Sequence, residues 1–242
     1  MWLRRLLALY ADSLRVPLGA PLHHAALLRM LAQRELAART SGTLLGRLWP
    51  LLQPALQVFG FWFMFAVIFD MRNQRADYLQ YLLLGMLPWL CFSEVLTRST
   101  GLFREFSSLF ARTPFPLEVL PSVVLVIPAT VYTAVLVLTS LWLLGPVAAF
   151  KALWVVPLLL LWALPLMLLC AVTGLFVRDF GQVLPFLLML LMYLTPIMYF
   201  PDMVPAQVRD WLWLNPMADW MTLVHAVIAG TAIPVAALWR LG

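Results

Sequence analysis

Long runs of apolar residues, separated by short polar connections that hold almost every charge, dominate this chain and restrict what it can become. With 64% hydrophobic and only 11% charged residues, a soluble domain could not bury so much apolar surface. A bilayer removes that demand, because hydrocarbon takes the place of water around the side chains. The pattern predicts an all-α polytopic membrane protein. The 242 residues suit one membrane domain, with no hydrophilic stretch long enough for a second, soluble one.

The runs divide the chain into a cytoplasmic tail with an interfacial helix over 1–50 and a transmembrane domain over 51–242. Spans are expected at about 51–69, 78–96, 117–144, 152–177 and 182–200, each near or above the roughly 20 residues needed to cross the hydrocarbon core. Gly145-Pro146 and Arg178-Asp179-Phe180-Gly181 read as tight turns, with Lys151 in the connection before the fourth span. Glu94 and Arg98 stand four apart and can pair on one helix face. The segment 201–230 is apolar but broken. Asn215-Pro216 suits an N-cap and a first-turn proline, and Gly230 suits a stop. The helix between them would be about 21 Å long, too short to cross. Two readings stand: a re-entrant hairpin, or a pair of helices flat at the interface, which Trp211, Trp213 and Trp220 would also favour. Residues 232–242 open another apolar run.

The basic balance of +5 is almost wholly arginine. With the N-terminus inside, eleven Lys or Arg residues face the cytoplasm and four face outward, which sets that orientation by the positive-inside rule. No basic patch interleaved with aromatics lies outside the spans, so nucleic acid is not an expected partner. Asp12 and Arg15 interrupt the first apolar run, which argues against a cleaved signal peptide. Cys91 and Cys170 lie inside apolar runs and read as small buried hydrophobes.

Catalysis finds no support. The eleven acids are scattered, His23 and His24 sit in the tail, and His225 stands alone on an apolar helix, where a hydrogen-bonded structural role is the commoner one. No metal-ligand spacing occurs. The spans carry almost no ionisable groups, which argues against a carrier driven by protons or sodium. No GxxxxGK[ST] loop is present, so an ATP-driven function needs a separate ATPase that acts on a cytoplasmic surface. One such surface is GLFREFSSLFARTPFP. On a helix, Leu102, Phe103, Phe106, Leu109 and Phe110 share one side, while Arg104, Glu105, Ser107 and Ser108 share the other. That pattern suits either a partner's groove or an interfacial helix in lipid.

Six pieces, in order, resemble the membrane permease subunit of ABC exporters of the type-2 class, in the branch that exports polysaccharides such as O-antigen, capsule and teichoic acid. They are REL..R…LLGRLWPLLQP (34–54), YLLLGMLPWLCFSEVL (81–96), ARTPFPLEVLP (111–121), FVRDFGQVLP (176–185), TPIMYF (195–200) and WLWLNPMADW (211–220). The resemblance implies a six-helix ABC type-2 permease fold with an N-terminal interfacial helix and an outer re-entrant helical hairpin. It implies a homodimer, two ABC ATPase subunits that bind ATP and Mg, a lipid-linked polysaccharide as cargo, and a bacterial cytoplasmic membrane location among membrane lipids. The ATPase-docking element maps to Leu102, Phe103, Arg104, Glu105, Phe106, Leu109 and Phe110. A lipid-phosphate site maps to the interfacial helix, where Arg29, Arg34, Arg39 and Arg47 offer guanidinium groups suited to phosphate; anchoring to anionic lipid is the plainer reading of the same charges. The outer gate maps to Trp211, Trp213, Asn215, Pro216 and Trp220. Trp62, Trp89, Phe92, Tyr193 and Tyr199 are possible stacking faces along a glycan path, although most span aromatics are expected to face lipid or a neighbouring helix. A sixth span belongs to the pattern, and its short opening at 232–242 leads to the expectation that the chain is truncated. No catalytic residue, metal or cofactor of its own is expected.

Overall fold

A computed structural model describes residues 23–70, 77–107, 116, 119–205, 207, 212, 215–231 and 237, without the side chain of Arg47. Among these residues the chain is helical and has no strands. The helices are α1 (Ala25–Thr40), α2 (Trp49–Trp62, continued by a π-helical turn Phe63–Ile68), α3 (Tyr78–Ser99), α4 (Leu102–Glu105), α5 (Leu120–Leu144), α6 (Pro146–Phe176), α7 (Phe180–Leu194) and α8 (Pro216–Ala229). Four of them, α2 with its π-helical extension, α3, α5 and α6, are long and apolar enough to cross a membrane.

Local chemistry sets several helix ends. Gly145 adopts φ +88° where α5 closes, a left-handed conformation that glycine takes without a Cβ clash, and Pro146 opens α6 at once. The fourth apolar helix therefore starts six residues before the expected 152, and Lys151 lies inside α6 rather than in a connection. The α6–α7 turn is as short as expected, and the Asp179 carbonyl accepts from the Gln182 and Val183 N–H groups to start α7. The fifth span departs from expectation. It stops at Leu194 after 15 residues, about 22 Å, because Pro196 disfavours a helical conformation at Thr195. The segment 195–200 is non-helical.

The chain divides into two compact units. The first contains Met1–Trp49, Phe92–Thr130 and Leu160–Pro185. In it, Leu28 and Leu31 of α1 pack on Val119 and Val123, with Leu27, Phe106 and Val126 around them. The end of α3 meets α6 so closely that a Cβ on Gly174 would lie 2.8 Å from the Thr100 backbone. Small residues let backbones approach in this way where lipid gives no hydrophobic drive to helix association.

The second unit contains Pro50–Cys91, Val131–Leu159 and Phe186–Gly242. Its interior is built on α3, whose Tyr78, Leu82, Met86 and Trp89 are buried. By contrast α2 exposes Leu56, Phe59, Phe63 and Val67; only 17% of its apolar window is buried, against 67% for α3. A helix this apolar that is left uncovered must face lipid or another subunit.

Candidate functional site

Helix α4 is the described part of the expected docking element; Leu109 and Phe110 lie outside the described residues. The structure corrects the expectation that its apolar residues are presented together. Leu102 is fully buried, and Phe106 packs into the Leu28–Val119 cluster beneath α1. These two anchor the element. Phe103 is half-buried and Glu105 exposed, so they remain available to a partner. Arg104 reaches back, its Nη2 donating to the Thr100 carbonyl at 3.5 Å, and a Cβ on Gly181 would sit 3.9 Å from that nitrogen. The element is held against α1 through Phe106 and lies close to the first turn of α7 at Gly181.

Arg47 of the interfacial segment has its side chain outside the described residues, and Arg29, Arg34 and Arg39 are not gathered into one site. Arg39 donates from Nη1 to Glu94 Oε1 at 2.9 Å and from Nη2 to Glu35 Oε1 at 3.3 Å. Arg98 pairs with the same Glu35 oxygen and lies 4.0 Å from Glu94 Oε1. The Glu94–Arg98 pairing expected from their spacing is thus one side of a quartet that ties α1 to the end of α3. All four side chains are more than two-thirds shielded from solvent. Arg39 is thereby consumed and is corrected out of the phosphate-binding set. Arg29 and Arg34 are exposed and pair with no acid among the described residues. Five residues apart, they point about 140° away from each other around the helix. Arg29 borders an open groove of about 360 Å³ between α1 and α5.

The non-helical segment 195–200 is fastened by side chains from other elements. Tyr78 donates to the Met198 carbonyl at 3.0 Å, and Tyr81 to the carbonyls of Pro196 at 2.6 Å and Tyr199 at 3.2 Å. In an apolar setting each unwound carbonyl needs such a partner. Tyr81 also stacks on His225 of α8, ring centroids 4.1 Å apart and planes within 8°. The His225 ring nitrogens lie 2.7 Å from the Met221 carbonyl and 2.8 Å from that of Tyr81. His225 therefore holds the structural role expected of it. A Cβ on Gly85 would meet this ring at 3.2 Å, so the glycine makes room for it.

Of the outer-gate residues, Trp211 and Trp213 lie outside the described residues. Asn215 is the N-cap of α8, its Oδ1 accepting from Met217 N at 3.0 Å and its Nδ2 donating to Thr195 Oγ1 at 2.8 Å. Pro216 occupies the first turn and Gly230 closes the helix at φ +76°, as their residue types indicate. One asparagine thus caps α8 and also holds the break after α7. Trp220 is half-buried on α8.

The aromatics proposed for a glycan path separate clearly. Trp89 and Phe92 are 2% and 1% exposed, so they are packing residues and offer no face to a sugar. Trp62 borders an apolar groove between α2, α3 and α5 with Phe59, Leu83 and Trp142. Its Thr139 hydroxyl already donates to the Val135 carbonyl, which leaves few groups there to orient a polar ligand. Tyr193 is exposed, and Tyr199 donates to its carbonyl at 3.1 Å. Sequence reasoning missed Tyr78 and Tyr81, and missed Glu35 as the partner of Arg98. The two tyrosines had a signal in the sequence: hydroxyls on one helix face, three apart. Among the described residues no cluster of His, Cys, Asp or Glu could hold a metal ion.

Long apolar helices, a short cytoplasmic-type element wedged between helices and a capped short helix after a broken span define an integral membrane transporter subunit. The chain belongs to the ABC-2 type transporter family, which matches residues 26–228. It is similar to the O-antigen export system permease protein RfbA of Myxococcus xanthus, 29% identical over 217 residues that cover 86% of this chain and 82% of the relative. RfbA of Klebsiella pneumoniae is 26% identical over 199 residues, covering 80% and 76%. The polysialic acid transport protein KpsM of Escherichia coli is 28% identical over 203 residues, covering 80% and 75%.

Proposed function

We propose that this chain is the permease subunit of an ATP-driven exporter that moves a lipid-linked polysaccharide, O-antigen-like or a related glycan, outward across a bacterial cytoplasmic membrane. The observation that carries the cargo is the similarity, over four-fifths of the chain or more, to relatives named for O-antigen export and polysialic acid transport. The family supports an ABC ATPase partner, and this chain has no phosphate-cradling loop to hydrolyse ATP itself. Two copies pair, with the N-termini in the cytoplasm. Each docks one ATPase subunit, which holds ATP and Mg. Closure of the ATPases pushes on α4 through Phe103 and Glu105. Because α4 lies against α1 and close to the first turn of α7, the push moves those helices with it. Phosphate at the lipid end of the cargo is drawn by the arginines of the interfacial segment, chiefly Arg34 and Arg47. Tyr193 and Tyr199 remain the aromatics with a face to offer to sugar rings. Asn215, Pro216 and Trp220, with the neighbouring tryptophans, form the outer gate.

The test uses the permease co-expressed with its ATPase. Phe103→Asp should abolish co-purification of the ATPase and glycan export together, while the permease alone remains folded. Phe106→Asp is not a clean test, because Phe106 packs against the α1 cluster. Retention of the ATPase by both Phe103→Asp and Glu105→Arg would refute docking at α4. Glycan movement by the permease alone, without nucleotide, would identify a passive channel. ATP-dependent movement of a drug or plain lipid, with no glycan moved, would refute glycan as the cargo and assign the exporter to that class instead.

A further inference from the structure

Arginine, glutamine and an apolar trough coincide at one place in the first unit. The groove between α1 and α5 holds about 360 Å³, within the range of small-ligand sites. Its walls are Ala32 and Leu36 on α1 and Val126 and Ile127 on α5. The α1 side extends from Ala25 to Leu36, about 16 Å at the helical rise. Thr130 adds no free donor, since its one hydroxyl proton is shared between the Val126 carbonyl at 2.8 Å and the Ile127 carbonyl at 3.0 Å. That leaves Arg29 and Gln33, both exposed and both able to donate.

We propose that this groove is a binding site for an anionic glycerophospholipid of the bilayer, one acyl chain lying along the trough and the phosphodiester held by Arg29 with Gln33 beside it. Charge selects the occupant. A single guanidinium matches a single phosphodiester charge. A pyrophosphate would need a second cation, and among the described residues that line the groove Arg29 is the one cation. Arg34 points about 140° away around α1, and Arg39 is bound to Glu35 and Glu94. A bilayer lipid also surrounds the site at all times, whereas any lipid-linked cargo is a minor component. The bound lipid would brace α1 against α5 beside the Leu28–Val119 cluster and leave the quartet to fix the other end of α1. The site is separate from the cargo reading and does not depend on it.

Native mass spectrometry of the full-length permease, titrated with phosphatidylglycerol or phosphatidylcholine, reads the site directly, with the thermal unfolding midpoint as a second measure. Phosphatidylglycerol should be retained preferentially and raise the midpoint. Arg29→Gln and Ala32→Phe should each weaken its retention at least about five-fold. Arg29→Lys should keep most of it, and Arg34→Gln should weaken it far less than Arg29→Gln. Soluble glycerol phosphate, a head without a chain, should not compete. If Ala32→Phe fails to fold, Thr130→Phe blocks the trough from the opposite wall with the same expectation. Equal retention of the two lipids, or equal losses from Arg34→Gln and Arg29→Gln, would overturn the proposal. So would no loss on filling the trough, which would point to protein there, such as a second copy. Displacement of phosphatidylglycerol by substoichiometric polyprenyl pyrophosphate would assign the groove to the lipid carrier instead and overturn it as well.

Discussion

Replacing glycine by alanine in a helix should have opposite signs at Gly174 and Gly60. Both lie inside helices, where alanine is favoured over glycine by about 0.8–1 kcal/mol. At Gly60 nothing lies within 4 Å of the added methyl, so most of that gain should survive. At Gly174 the methyl would sit 2.8 Å from the Thr100 Cα and carbonyl carbon, and nearer still to its carbonyl oxygen. These are backbone atoms, with no flexible side-chain end to swing aside. Overpacking of this kind costs about 1–3 kcal/mol, and Gly174 lies in the last turn of α6, where the propensity gain is smallest. The net loss should be about 1–2 kcal/mol, against a gain of about 0.5–1 kcal/mol for Gly60→Ala. At roughly 2–4 °C per kcal/mol for a chain of this size, the two variants should bracket the parent in a thermal unfolding assay and differ from each other by at least about 3 °C. Because Thr100 directly precedes the N-cap of α4, Gly174→Ala should also, in the proposed complex with an ABC ATPase, lower transport-coupled ATPase activity more than its stability loss explains. A Gly174→Ala protein as stable as the parent, or a Gly60→Ala protein destabilised as much, would refute the packing argument.

The remaining expectations concern polar contacts. Arg39→Glu should destabilise the protein by about 1–3 kcal/mol, between exposed and buried ion-pair magnitudes, because it sets a third carboxylate beside Glu35 and Glu94. The exchange Arg39→Glu with Glu94→Arg should recover part of the loss, and a double-mutant cycle showing no coupling would remove the quartet from the account. Asn215→Ala should cost about 1–2 kcal/mol, since it removes the cap of α8 and the bond to Thr195 together. Asn215→Asp keeps the capping oxygen and should recover the cap alone, read by limited proteolysis after residue 200.

Much of this architecture can be read from the residues, and what cannot has specific causes. The apolar runs mark the spans because backbone in hydrocarbon must bond within itself. Asn215-Pro216 and Gly230 mark both ends of α8 because capping chemistry is local. The end of α7 was also local, in Pro196, but the apolar run through Phe200 masked it. What fastens 195–200 lies 115 to 120 residues away in Tyr78 and Tyr81, beyond any periodicity argument. The arginines were visible as charges, but which of them were already neutralised depended on α1 meeting α3. At α4 the amphipathic pattern was real. Tertiary packing buried Leu102, turned Phe106 in against the α1 cluster and left Phe103 half-buried and Glu105 exposed.

The quartet of Glu35, Arg39, Glu94 and Arg98 contains two acids and two bases, so as a body it carries no net charge. An electric field across the membrane exerts a turning force on such an assembly but almost no pull along its direction of travel. If α1 and the end of α3 shift together, the quartet adds nothing to the voltage dependence of that shift, which is left to Arg29 and Arg34 on α1, both exposed and paired with no acid among the described residues. The membrane voltage would then act on this part of the protein through those two charges and not through the contact that fastens the two helices.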